Sequence, residues 1–125
     1  MIHVNRMWQE YIETNMARRW EQSEKAAQEA STVSGPLLIV GDFNTPSESY
    51  LFRRVWAGYA DAFTPAGWGW GYTFFNSRTM TRIDHILSGE GWNCSRCWVG
   101  PDIGSPHRPV LAELIWTRCE DRSRQ

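Results

Sequence analysis

The chain has 125 residues, 42% of them hydrophobic, eight tryptophans and a formal net charge of −1 at pH 7. That length fits one domain with a modest core, and the near-neutral charge excludes a polybasic tail or a protein that coats nucleic acid through charge alone. No apolar run approaches the roughly 18 residues that span a bilayer, and three cysteines, an odd number, do not make a secreted disulfide framework.

In chain order, residues 2–4 (IHV) read as the tail of a strand. From about Asn5 to Ala30, Met7, Trp8, Tyr11, Ile12, Met16 and Trp20 recur at helical spacing and predict an amphipathic helix. Ser34-Gly35-Pro36 stops it. The run 37–40 (LLIV) is continuously apolar, the character of a strand covered on both faces. After a turn at Thr45-Pro46, Ser47 is placed to cap a short helix reaching about Trp56. The segment 58–76, rich in Gly, Pro and aromatics, reads mostly as a structured loop. Strands are predicted over 81–87, 92–99 and 109–117, the last with Val110, Ala112, Leu114 and Trp116 on one face. Residues 1–119 form the domain, and the charged tail 120–125 frays. The order β-α-β-α-β-β-β implies a layered α/β domain with a mixed sheet.

Cys94 and Cys97 form a lone CxxC with no second pair and no His at zinc-site spacing. On an extended strand they would face opposite sides, which argues against zinc or redox chemistry. The N-terminus lacks the charged-then-apolar pattern of a signal peptide, so a cytoplasmic location is the default. Lys25 is the only lysine. The arginine bias suits phosphate partners, but a GC-rich coding sequence produces the same bias.

Three polar signatures sit at strand boundaries. In 37–46 (LLIVGDFNTP) a buried strand ends on Asp42, with Asn44 two residues later. Ligands of layered α/β proteins bind where strands end, and an extended backbone would put Asn44 on the same side as Asp42. The plainer reading is an Asx-turn before a helix. In 82–86 (RIDHI), alternation sends Ile83 and His85 to one face and Arg82, Asp84 and Ile86 to the other. In 104–110 (GSPHRPV), His107 occupies a turn before the last strand. A carboxylate beside an imidazole fixes its tautomer and tunes its basicity, and Asp84 is the natural partner of His107.

GDFNTP, RIDHI and an S-x-HRPV turn, in that order, with YADAF at 59–63 and GYTF at 71–74, resemble the endonuclease/exonuclease/phosphatase family. The likeness runs from about His3 to Leu114. It implies half of a DNase I-like α/β sandwich, with a mixed sheet and helices packed on one face. It implies a phosphoesterase that uses Mg²⁺ or Mn²⁺. Asp42 would position or deprotonate the attacking water and be a metal ligand. Asn44 would hydrogen-bond the scissile phosphate, Asp84 would hold His107, and His107 would contact the phosphate or transfer a proton. Arg82, Trp68 and Trp70 join Asn44 as candidate substrate contacts.

Two features depart from the family pattern. Pro106 stands where the family has an Asp that contributes to the metal site. The first half of the family domain, with its Asn and metal-binding Glu, has no counterpart here. The leading expectation is therefore a phosphoesterase weakened by truncation. The alternatives are a non-catalytic phosphate- or nucleic-acid-binding module and an assembly protein built on the same fold. The substrate class, nucleic acid or phospholipid and inositol phosphate head groups, stays open. The aromatic stretch 68–72 (WGWGY) either stacks on a substrate ring or closes the core, and closure is the favoured reading. A lone half would expose an apolar sheet face lined by Val110, Leu114 and Trp116 with residues of 37–40, which implies a two-fold dimer or a missing N-terminal half.

Overall fold

The computed structural model describes residues 6–117. The expected strand at 2–4, Cys119 and the tail from Glu120 lie outside the described residues. The elements are α1 (Arg6–Ser31), β1 (Leu38–Asp42), α2 (Tyr50–Val55), β2 (Ala60–Asp61), α3 (Phe63–Ala66), β3 (Phe74–Phe75), β4 (Met80–Thr81), β5 (Asp84–Ser88), β6 (Trp92–Val99) and β7 (Val110–Trp116). The segment 58–76 is thus less irregular than its composition implies, since it contributes β2, α3 and β3. No helix among the described residues is long and apolar enough to cross a membrane.

The strands form a three-stranded sheet in the order β1-β5-β2 and two hairpins, β3-β4 and β6-β7. All ladders between these strands are antiparallel. The parallel component is a single bridge between Gly67 and Cys97. β5 is central, and its period-two alternation serves both sides. Leu87 joins Phe52 and Trp56 in one buried cluster, with Ala27 of α1, Ile39 and Phe43 against it. Ile86 packs against the second cluster, Ala62, Phe63 and Cys97, together with Val110 and Ala112 of β7. Helices α1 and α2 therefore cover one face, and the β6-β7 hairpin with the one-turn α3 covers the other.

Three details differ from the periodic reading. β1 is not covered on both faces: it is the edge strand, Ile39 turns inward, and Leu38 and Val40 are 38% and 64% exposed. None of the α1 residues is buried, because contact is made through the small Ala27 while Trp8, Tyr11, Ile12 and Met16 remain outside. Helix α2 is capped by Ser49, whose Oγ accepts the Phe52 amide at 3.1 Å. Ser47 is not the cap because a turn closed by the Ser49 amide on the Pro46 carbonyl (3.0 Å) delays the helix start.

On β7, Val110, Ala112 and Leu114 face inward as alternation predicts, so Leu111 and Ile115 are the exposed apolar residues. Trp116 is also exposed. The uncovered face accordingly carries a different set from the expected Val110 and Leu114. Cys94 and Cys97 do not face opposite sides. The ladder passes from Cys94–Leu114 to Arg96–Glu113, a bulge that inserts Ser95 as the extra residue. The parity resets, and both cysteines pack against the Ala62–Phe63 cluster. Burial pushes the Cys97 thiol up to about 11, and the neighbouring Cys94 and Asp61 push in the same direction.

Candidate functional site

Asp42 ends β1, Asp84 opens β5, and the two are direct cross-strand partners. Like charges placed opposite each other on a ladder repel, so this pair needs a cation or a donor between them. His107 supplies the donor. Its Nδ1 lies 2.9 Å from Asp84 Oδ2 and 3.2 Å from Oδ1, and its Nε2 lies 4.0 Å from Asp42 Oδ2. The His107 amide donates to Ser105 Oγ at 3.1 Å, which shapes the turn that presents the ring. The Asp84 hydrogen bond raises the His107 pKa above its ordinary 6.5; partial burial opposes this, and the charges of Asp84 and Asp42 reinforce it.

Asp42 satisfies both sequence readings at once. Its Oδ1 accepts the Asn44 amide at 2.7 Å, an Asx-turn. That leaves Oδ2 directed at the imidazole. The turn takes Asn44 to φ 49, a left-handed conformation that Asn tolerates. The extended backbone on which a shared side depended therefore ends at Phe43. Asn44 lines a groove with Asp42 and with Arg19, Gln22 and Ser23 of α1, and Asp42 also lines the adjoining groove of about 470 Å³ that holds Asp84 and His107.

Asp42, Asp84 and His107 each offer a ligand atom, all within 4.8 Å of one another. The two carboxylates suit a hard divalent cation such as Mg²⁺ or Mn²⁺, which completes its shell with water or substrate oxygen, whereas the imidazole is a donor for softer metals and suits such an ion as a neighbour rather than a ligand. The residues present fit such an ion. Asp42 Oδ2 is the least committed donor, since both Asp84 oxygens already lie against His107. Pro106 adds no side-chain ligand; its carbonyl accepts the Phe75 amide at 2.8 Å.

Arg82 does not face the groove of Asp42. Its guanidinium is 2.6 Å from Asp61 Oδ2, 2.6 Å from Ser47 Oγ and 3.7 Å from Glu48, and it lies over the Phe63 ring. The alternation that placed Arg82 beside Asp84 fails because β5 begins only at Asp84. His85 does alternate with Asp84. It is buried between Phe43 and Phe52, with Nε2 3.0 Å from the Thr45 carbonyl and Nδ1 3.6 Å from Asp61. Burial alone would push the Asp61 carboxyl up. His85, Arg82 and the Phe63 amide outweigh that and hold it below the usual range.

Trp68 and Trp70 are 92% and 82% exposed, so these two rings do not close the core, and only Gly71 of the stretch is buried, against the Phe63 ring. Trp70 lies parallel to Tyr72, with ring centroids 6.2 Å apart. With Phe75, Trp98 and Arg108 they line a groove of about 360 Å³. Arg108 lines both this groove and the one holding His107, and it is steadied by Asp102 at 3.2 Å and by the Phe75 ring. Asp61, Arg108 and Thr73 are the site-supporting residues the sequence reading did not assign. All three lie inside motifs it quoted (YADAF, HRPV and GYTF), which was the available signal.

Fold and site together define a layered α/β protein with an acid–imidazole cluster at the ends of adjacent strands. Residues 3–107 match the Endonuclease/Exonuclease/phosphatase family, and the chain belongs to it. Among solved structures it is similar to a functionally unknown conserved protein from Enterococcus faecalis V583, with TM-score 0.67 and 24% identity over 78% of this chain and 44% of that one. It is similar to an endonuclease/exonuclease/phosphatase from Bacteroides vulgatus, with TM-score 0.65 and 22% identity over the same shares, 78% and 44%. It is also similar to a mannosyl-6-phosphatase from Bacteroides thetaiotaomicron VPI-5482, with TM-score 0.56 and 20% identity over 93% and 49%. The chain thus spans less than half the length of these structures. No curated protein matches the sequence.

Proposed function

We propose that the chain supplies the acid–imidazole half of a phosphoesterase site, and that the reaction is hydrolysis of a phosphate ester by an activated water. The observation that carries this reading is the free edge of His107 facing the free oxygen of Asp42 across 4.0 Å, with the far edge of the ring anchored on Asp84. An oxygen placed beside the line between them can hydrogen-bond to both. Asp42 Oδ2 would accept the proton of the attacking water. The imidazolium would cover phosphoryl charge and deliver a proton to the departing oxygen as the P–O bond breaks. Asp84 would keep Nε2 as the working edge. Asn44 would offer its side-chain amide to a phosphoryl oxygen that enters along its own groove. Mg²⁺ or Mn²⁺, held by Asp42 with Asp84 and His107 beside it, would supply charge neutralisation and a more acidic water.

The exposed Trp68 and Trp70 are proposed to contact the ring-bearing part of the substrate, with Arg108 shared between ring and phosphate. The second reading, a phosphate-binding or assembly module that does not turn over, is favoured by one observation: Pro106 brings no acid to the site. In either case the site would be completed by a covering partner, either a second copy or a first-half domain.

The test is a panel of phosphomonoesters and phosphodiesters with Mg²⁺ or Mn²⁺. Weak, metal-dependent hydrolysis is expected, abolished by Asp42→Ala and by His107→Ala. Vigorous turnover that survives both substitutions would place the chemistry elsewhere, and none on any ester would favour the binding module.

A further inference from the structure

We propose that Thr73 is the positioning residue of the Asp84–His107 pair, clamping the two segments that carry it through two different oxygens. Thr73 is completely buried. Its Oγ1 accepts the amides of Ile83 and Asp84, both at 3.1 Å. Its carbonyl accepts the Arg108 amide at 2.6 Å, and its own amide donates to the Thr81 carbonyl at 3.0 Å. One residue thus holds the main chain of Asp84 with its hydroxyl and the main chain beside His107 with its carbonyl.

The sheet explains why a hydroxyl is needed there. β1 lies along one edge of β5, and on the other edge β2 reaches only Leu87 and Ser88. The amides of Ile83 and Asp84 lie beyond the end of β2 and would be donors without a ladder partner. A buried amide with no acceptor costs about 1–3 kcal/mol, so Thr73 Oγ1 stands in for the missing strand. The next residue completes the frame: the Phe74 ring is 4.9 Å from the His107 ring, and Phe74 and His107 form an isolated antiparallel bridge. Thr73 sets the backbones and Phe74 backs the imidazole.

The consequence for the reaction rests on the phosphoesterase reading, but the clamp itself can be read without turnover. In metal-free protein at alkaline pH, ring-nitrogen NMR should show His107, identified by its absence in His107→Ala, with its proton on Nδ1. Thr73→Ser keeps the hydroxyl and should keep that tautomer. Thr73→Val keeps the shape, removes the acceptor, and should lose the Nδ1 selection. Where hydrolysis is measurable, Thr73→Val should lower kcat on the order of tenfold to a hundredfold, as loss of an orienting partner does, and Thr73→Ser should stay near wild type. Amide exchange of Ile83, Asp84 and Arg108 in the wild type covers the case in which the valine variant fails to fold. Protection like that of the β5 ladder is expected, and loop-like exchange overturns the proposal. A folded Thr73→Val protein that retains the Nδ1 tautomer overturns it equally. An intact tautomer in a wild type that hydrolyses nothing leaves the clamp standing and sinks the phosphoesterase reading instead.

Discussion

Asp42 divides its carboxylate between two tasks, one oxygen closing a turn and the other facing His107. His107 is the residue whose charge state is most open to experiment. The Asp84 hydrogen bond raises its pKa, with burial opposing and the charges of Asp84 and Asp42 assisting. The interaction contributes fully below the ordinary value of 6.5 and is lost as pH rises through the raised folded value. Binding of inorganic phosphate to metal-free protein should therefore persist above pH 6.5 and weaken only at the raised midpoint. In Asp84→Asn the His107 midpoint, followed by ring NMR, should fall back toward 6.5; an unchanged midpoint would refute the coupling. The Asp84–His107 pair was legible from sequence because Asp84 is a charge inside an apolar strand and His107 an imidazole in the turn before the last strand. Thr73 was not, because one buried hydroxyl in an aromatic loop has no periodic signature.

At the level of elements, the Arg82–Asp61 pair joins the start of β5, the edge strand β2 and the loop after β1. Both side chains are at most a tenth exposed. Removing one partner of such a pair leaves an uncompensated charge, so Arg82→Met should cost about 3–5 kcal/mol by chemical denaturation. A loss below 1 kcal/mol with reduced substrate affinity would restore the substrate role that the sequence reading gave it. Gly71 is a second constraint, with φ +66 and the Phe63 ring where a Cβ would stand. Gly71→Ala should destabilise by more than about 1 kcal/mol, and a variant with an unshifted Tm would contradict this. β6 follows its predicted span of 92–99, which Gly91 and Gly100 bound. The faces of β1 and the cysteine parity were not legible. The first depends on which elements happen to cover an edge strand, the second on a bulge that leaves no mark in residue type.

For the whole molecule, the exposed apolar residues matter most. Val40 and Ile103 are both exposed, and they line the same groove as Asp42, Asp84 and His107. A partner that covered them would also wall the site. A dimer is the expected outcome for the isolated chain, since one self-complementary patch serves both copies. Sedimentation at micromolar concentration should show self-association that Val40→Glu abolishes. A concentration-independent monomer would leave the face to a different partner.

The direct pairing of Asp42 with Asp84 also bears on how this chain can vary in length. Side chains alternate faces along a strand, so one residue gained or lost between Pro36 and Asp42 turns the carboxylate away from His107 while leaving composition and hydropathy almost unchanged. The turn at 76–79 positions no member of the cluster and is free of that constraint. Insertions and deletions among relatives should therefore collect in such turns and be absent from β1, where the site acts as a reading-frame check on its own strand.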